Sequence, residues 1–170
     1  MGWKPELDAI VGARHGGRVA GILEQLQRLD SRHPNIAEIQ YQVAWTLDSL
    51  GRSDEAAVCY EKAIALGLAP NDLSGALIGL GSTLRQTGRL ERAVEVLRNA
   101  RRQFPENREI DAFLALALHA AGRHDEAIVT ALTVLMETSE DPGITACQRT
   151  LRHQLPPFSP ASPGPADEMR

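Results

Sequence analysis

Apolar residues recur along most of the chain at the spacing of amphipathic helices. In the stretch AEIQYQVAWTLDSL they fall at positions 39, 43, 47 and 50, and in DEAAVCYEKAIAL at 56, 57, 60, 63 and 64. Intervals of three and four residues place such side chains on one side of an α-helix. No long run of Val, Ile and Thr alternates with polar residues. The pattern therefore predicts an all-α chain.

A short phrase divides these helices into a repeat. The stretches LGRSDEA, TGRLERA and AGRHDEA each carry a Gly-Arg step, and a similar step occurs earlier in the chain. The glycines of the four steps are Gly17, Gly51, Gly88 and Gly122. Their spacings are 34, 37 and 34, which is a period near 34 with one three-residue insertion, located within 66–73. Such a period indicates helix pairs that stack on one another, because one pair cannot bury its own apolar face.

Each position in the phrase has an expected structural role. The glycine ends one helix in the left-handed conformation, and the acidic residues after it fall in the first turn of the next helix, where the helix dipole favours negative charge. Small residues on both sides of the turn let two antiparallel helices approach closely. These small residues are Ala44 and Ala56, Gly81 and Ala93, and Ala115 and Ala127. Prolines that mark the exits from each pair are Pro34, Pro70, Pro105 and Pro142.

At these positions the chain resembles the tetratricopeptide repeat family, and LIGLGSTLRQTGR and FLALALHAAGR further resemble a small bacterial branch of it. The resemblance implies a right-handed α-solenoid of antiparallel helix pairs, with about four repeats plus a C-terminal capping helix. We expect one repeat domain over 1–155 and a flexible Pro-rich tail over 156–170. The expected repeats lie near 3–34, where the pattern is degenerate, and near 37–70, 74–105 and 108–141, with the cap at 143–155.

The resemblance also implies that the chain binds a protein or peptide in the concave groove of the solenoid, as an adaptor or scaffold. The first helix of each pair lines that groove in the family, so its residues off the packing stripe are the candidates for contact. The main candidates are Tyr41, Trp45, Asp48, Ile78, Ser82, Arg85, Phe113, Leu116 and His119. Further candidates are Ser49, Gln86 and Ala112, with Lys4, Leu7, Val11 and Arg14 in the degenerate repeat. Trp, Tyr and Arg often dominate binding energy, although Trp45 and Phe113 could instead fill space between adjacent pairs.

The chemistry of the expected groove is apolar. One known use of the family is a carboxylate clamp for the C-termini of heat-shock chaperones, which needs Lys, Asn and Arg at fixed groove positions. Here those positions hold Tyr41, Trp45, Gly79, Glu109 and Phe113, so the clamp is missing. An apolar groove favours an amphipathic helix, an extended apolar segment or another copy of the protein. The alternative function is a regulatory or sensor module that recognises a small peptide or small molecule there.

The stretch EIDAFLALALHAA at 109–121 is apolar on nearly all sides, whereas a surface helix normally keeps one polar face. Either neighbouring elements cover both faces, with partial cover from the capping helix, or an exposed apolar patch marks an interface. The second possibility predicts a homodimer through this region or a ligand that rests on it.

Charge and motifs narrow the functional classes. The net charge is −4 with both signs interspersed, which argues against a nucleic-acid-binding protein. The most apolar stretch, at 112–122, is too short to span a membrane, and the start MGWKPELDAI is no secretory signal. Cys59 and Cys147 cannot form a disulfide framework for a chain of this size, so a cytoplasmic location is expected. The five histidines show no metal spacing and no catalytic motif is present, so we expect neither enzyme activity, metal nor cofactor.

Overall fold

The computed structural model describes residues 2–15 and 19–157, and the regular structure in these ranges is helical. The helices are α1 (Trp3–Gly12), which continues into a short 3₁₀ turn (Ala13–His15), α2 (Val19–Arg32), α3 (Ala37–Ser49), α4 (Ser53–Leu66), α5 (Pro70–Gln86), α6 (Leu90–Gln103), α7 (Arg108–Ala120), α8 (His124–Thr138) and α9 (Pro142–Gln154). The all-α prediction is confirmed. Gly17 and residues 158–170 of the expected tail lie outside the described residues.

Consecutive helices pack in pairs, and each pair packs on the next. The pairs are α1/α2, α3/α4, α5/α6 and α7/α8. In the third and fourth pairs the first helix contacts both helices of the preceding pair, so that α5 packs on α3 and α4, and α7 packs on α5 and α6. One hydrophobic core runs through all four pairs, and both Ala44 and Ala56 are fully buried in it. The chain is therefore an all-α solenoid of helix pairs, as the repeat predicts.

The repeated Gly-Arg step forms the same helix ending three times. Gly51, Gly88 and Gly122 have φ angles of 72°, 76° and 74°, which is the left-handed region that glycine adopts without steric cost. In the first ending, the Gly51 amide donates to the Asp48 carbonyl at 2.9 Å and the Arg52 amide to the Leu47 carbonyl at 3.0 Å. The same two bonds recur at the other endings. This is the Schellman arrangement, so the prediction that glycine ends the first helix is confirmed.

The arginine of the step also has a role, which the sequence analysis did not assign. Arg52 pairs with Glu55 at 2.6 Å, and Arg123 pairs with Glu126 at 2.5 Å, in both cases three residues further along the chain. Arg89 has no acidic residue at that distance and instead lies 3.3 Å from Asp54 of the preceding pair. The acidic residues therefore bind the arginine of the turn as well as occupying the first helical turn.

The three-residue insertion lengthens a helix and adds little to the linker. Only residues 67–69 separate α4 from α5, and α5 begins at Pro70 rather than near 74. Proline fits this first position because it has no amide hydrogen to pair. Consequently α5, at 17 residues, is longer than its counterparts α3 and α7, with 13 residues each.

Three glycines inside α5 make room for bulky side chains of its neighbours. A Cβ atom at Gly75 would overlap the Tyr41 hydroxyl, and one at Gly79 would overlap the Tyr60 ring. A Cβ atom at Gly81 would overlap the side chain of Leu97, which is fully buried. At Gly81 the missing side chain thus leaves room for a leucine side chain of α6. No helix in the described ranges has the length and apolar character needed to cross a membrane.

Candidate partner-binding surface

The predicted contact residues lie on the first helices α3, α5 and α7, which pack side by side. Residues 41, 45 and 48 are one helical turn apart on α3, as are 78, 82 and 85 on α5, so each trio lies on one side of its helix. We use the term first-helix face for the side of α3 and α5 that carries Tyr41, Trp45, Asp48, Ser82 and Arg85.

Two of the predicted contact residues are core residues. Ile78 is only 6% exposed, and Leu7 of the degenerate repeat is also buried. Both belong to the continuous hydrophobic core, so their side chains are not available to a partner. Their positions in the repeat match those of exposed candidates, and only the packing of adjacent helices distinguishes them.

Trp45 is the large apolar side chain that the first-helix face presents to solvent. It is 40% exposed, although α3 otherwise buries most of its apolar residues. The guanidinium carbon of Arg14 lies 3.9 Å from the centre of the Trp45 ring, which is a cation–π contact. Arg14 is fixed there by a 3.0 Å hydrogen bond from its Nη2 to the Thr46 hydroxyl. The degenerate first repeat therefore contributes a positive charge beside the exposed tryptophan.

Tyr41 and Phe113 are half-buried and pack against the core. The Tyr41 ring lies 6.2 Å from that of Tyr60, and the Tyr41 hydroxyl occupies the space that Gly75 leaves open. This contact joins α3, α4 and α5. Tyr41 therefore fills space between adjacent helix pairs, in contrast to the more exposed Trp45.

The polar residues of the first-helix face are partly withdrawn from water. Burial raises the pKa of the Asp48 carboxyl above its ordinary value, because the charged form loses hydration. Arg85 is half-buried, and its Nε is buried without a hydrogen-bond partner in the described residues. Ser82, one helical turn before Arg85 on α5, is half-buried and accepts a 3.3 Å hydrogen bond from Gln86. An unpaired buried donor is unfavourable unless a ligand or water completes it.

Leu116 and His119 line a different concavity, between α7 and α8 at the C-terminal end of the array. This end groove has a volume of about 690 Å³. Its lining consists of Ala112, Ala115, Leu116, His119, His124, Asp125, Ala127, Ile128, Ala131 and Val134. Leu116 is 51% exposed and Ile128 is 47% exposed. The two histidine rings lie 4.9 Å apart at one end of the groove.

The end groove corresponds to a face that is covered in the preceding pairs. Ile128 is 34 residues after Val94, which is 3% exposed, and the matching residue one repeat earlier is Ala57, at 1%. Val94 and Ala57 lie on second helices that the next first helix covers, namely α7 over α6 and α5 over α4. The predicted contact residues do not include Ile128, because they are taken from first helices and Ile128 lies on a second helix.

The helix expected to cap the array is present as α9 but leaves this face open. It packs against the end of α8, where the Gln148 side chain donates to the Met136 carbonyl at 2.7 Å. None of the residues of α9 is buried. The expectation that the cap partly covers α7 was therefore wrong. The sequence indicates this, because Arg149 stands 34 residues after Ala115, at a position where α3, α5 and α7 have a small residue.

The described residues contain no cluster of three or more His, Cys, Asp and Glu side chains that could hold a metal ion. Cys59 and Cys147 are both free and half-buried. Burial raises the pKa of the Cys59 thiol, which keeps it in the less reactive protonated form.

Comparisons with known proteins agree with this architecture. The model of the Tetratrico peptide repeat family matches residues 37–152. Among solved structures, MamA 41-end from Desulfovibrio magneticus RS-1 superposes with a TM-score of 0.71 at 18% identity, covering 89% of this chain and 86% of that one. Another MamA crystal structure gives a TM-score of 0.68 at 17% identity, with coverages of 92% and 79%. No curated protein matches the chain significantly.

An O-GlcNAc transferase mutant from Thermobaculum terrenum is also similar, with a TM-score of 0.69 at 22% identity. The match covers 81% of this chain but 26% of the transferase. At these identities the structural likeness establishes the fold alone. The family model spans well over half of the chain, and the repeated turns and stacked pairs agree with it, so the chain belongs to the tetratricopeptide repeat family.

Proposed function

We propose that the chain is a non-enzymatic interaction module that binds a protein or peptide segment on its first-helix face, with Trp45 at the centre of the contact. The observation that carries this proposal is the exposure of Trp45 beside the Arg14 guanidinium. A partly exposed tryptophan with a charged neighbour is the type of residue that dominates protein interfaces. Membership of a family of repeat scaffolds supports the same function.

The polar surroundings of Trp45 indicate the chemistry of the partner segment. An apolar side chain can pack on the indole ring, while the half-buried guanidinium of Arg85 provides a positive charge that favours a carboxylate or carbonyl oxygen. Asp48, with its raised pKa, favours a neutral hydrogen-bonding group over a second carboxylate at its own position. The expected segment therefore combines an apolar anchor with an acidic or carbonyl group.

An affinity pulldown from the native cell tests the proposal with three forms of the full chain. Wild type is compared with Trp45→Ala/Arg85→Ala and with Val58→Ala, which changes a side chain that is 64% exposed on α4. We expect a set of proteins that wild type and Val58→Ala retain and the double variant loses. For a purified partner, Trp45→Ala should weaken binding by about tenfold or more. Equal retention by all three forms would contradict binding on this face.

Thermal-shift measurements distinguish a protein or peptide ligand from a small molecule. They use cell-extract fractions before and after protease treatment. A protein or peptide ligand loses its stabilising effect after the protease, because binding to the native state alone raises apparent stability. A shift that survives the treatment and depends on Trp45 would instead identify a small-molecule sensor.

A further inference from the structure

The end groove between α7 and α8 is an exposed apolar surface separate from the first-helix face. In the preceding pairs, the matching surface is covered by the next first helix. Tyr60 on α4 is almost completely buried under Gly79 of α5, whereas Ala131, at the same position on α8, is exposed. The end groove thus has the apolar composition of an internal junction but lacks its cover in the described residues.

The chain's own last helix is unsuited to cover the end groove in the way that α5 and α7 cover theirs. In the 34-residue register, Gln148, Arg149 and Arg152 of α9 stand where α7 has Leu114, Ala115 and Leu118. Docking in that register would bury polar and charged side chains against an apolar wall, which is costly without partners. The position of α9 at the end of α8, with no buried residue, follows from this composition.

The opposite end of the array is also unsuited to fill the groove of a second copy. Lys4 and Asp8 of α1 stand in the register where α5 has Gly75 and Gly79, the residues that admit the tyrosine rings of the preceding pair. Lys4 and Asp8 are exposed and lie 3.6 Å apart as an ion pair. A head-to-tail contact, which would continue into a filament, would have to bury this pair.

The composition of the end groove suits contact with itself across a two-fold axis. Leu116 and Ile128 project between the small residues Ala112, Ala115 and Ala131, so each surface has both projecting and receding positions. Of the described residues that line the groove, Asp125 is the one carboxylate, and none is a lysine or an arginine. Two like surfaces therefore meet with little charge repulsion.

We propose that a second copy of this chain covers the end groove, in a two-fold homodimer in which Leu116 and Ile128 of each copy pack on the alanines of the other. Such an isologous contact closes on itself and produces a dimer without further growth. The surface lies on α7 and α8, whereas Trp45 lies on α3, so dimer formation leaves the first-helix face for a different partner.

Sedimentation velocity of the full chain at increasing protein concentration tests the dimer. The wild type should shift from monomer to dimer without larger species. Leu116→Glu and Ile128→Glu should each weaken dimerisation at least about tenfold, because each would bury a carboxylate at an apolar contact. Val58→Glu, on an exposed position of α4, is the matched control and should dimerise like the wild type.

Circular dichroism of the same variants checks that they remain folded, which their exposed positions favour. A wild type that stays monomeric at the highest concentration would overturn the proposal. Species that grow beyond a dimer, or equal dimerisation of wild type and Leu116→Glu, would overturn it as well. Trp45→Ala should leave the dimer unchanged, so this result is independent of whether the first-helix face binds a partner.

Discussion

The second helices α4 and α8 differ in how far the same repeat positions are buried. These positions are covered at the junction between α4 and α5 and exposed on the surface of α8. In the middle of the array, Tyr60 is almost completely buried because α5 passes over it with Gly79. At the end of the array, Ala131 and Ile128 remain exposed because α9 carries Arg149 where a small residue is needed. Burial of a second helix in this solenoid is therefore decided by the helix that follows it.

A glutamate introduced at two matching positions of the repeat should give the largest difference in unfolding free energy. Leu97 is fully buried and packs against Gly81 of α5, whereas Ala131, 34 residues later, is exposed. Leu97→Glu should lower the free energy of unfolding by about 4 kcal/mol or more, through lost apolar burial and an unpaired buried carboxyl. Ala131→Glu should change it by less than about 0.5 kcal/mol. Urea denaturation at low protein concentration, where the proposed dimer dissociates, measures both values, and similar losses would contradict the exposed position of Ala131.

Removal of the Tyr60 ring should have the next largest effect. The ring fills the space between α4 and α5 and lies beside Tyr41. Tyr60→Ala should cost about 3 kcal/mol or more of unfolding free energy, because a large buried side chain leaves a cavity. Tyr60→Phe, which keeps the ring, is the control and should lose much less. Equal losses in the two variants would show that the ring is not what joins the helices.

Alanine substitutions at two glycines compare a closely packed position in a helix with an open one. Gly81→Ala should destabilise the chain by about 1–3 kcal/mol, since the new methyl group overlaps buried Leu97. Gly21→Ala, in α2, meets no atom within 4 Å and should stabilise by roughly 0.5–1 kcal/mol. Thermal melts of the two variants should therefore move in opposite directions. A stabilising Gly81→Ala would contradict the close contact with α6.

The smallest expected effect concerns Asp48, whose pKa is raised by burial. A raised carboxyl pKa means that the charged form is less favourable in the folded chain, so Asp48→Asn should slightly increase stability at neutral pH. The advantage should be complete above the raised pKa and disappear as the pH falls to the ordinary aspartate value of about 3.9. Melting temperatures of both forms from neutral to acidic pH check this.

Much of the architecture could be predicted because the repeated features depend on residues that are close together in the sequence. The glycine endings at Gly51, Gly88 and Gly122 depend on a single residue type and appear in the structure as expected. The pairing of helices follows from the apolar spacing and the period. The starting point of α5 could not be predicted from the period, because the inserted residues continue the helix instead of lengthening the linker.

The candidate surface could be predicted less well, because exposure depends on what lies opposite. Ile78 and Trp45 occupy neighbouring positions on equivalent sides of their helices, but only the tryptophan is exposed. Asp111 is a buried carboxylate, and it lies 3.1 Å from Arg101 Nε. Such partners come from other helices and have no signature in the local sequence. The interaction between Arg14 and Trp45 is of the same kind.

The three glycines of α5 have a consequence for how the array holds together. Each glycine inside a helix weakens that helix by roughly 0.5–1 kcal/mol relative to alanine, so α5 is a poor helix by itself. Its order depends on side chains from three other helices, those of Tyr41, Tyr60 and Leu97. The second and third pairs should consequently melt as one cooperative block, and not one repeat at a time, with amide exchange in α5 as slow as in the helices that flank it.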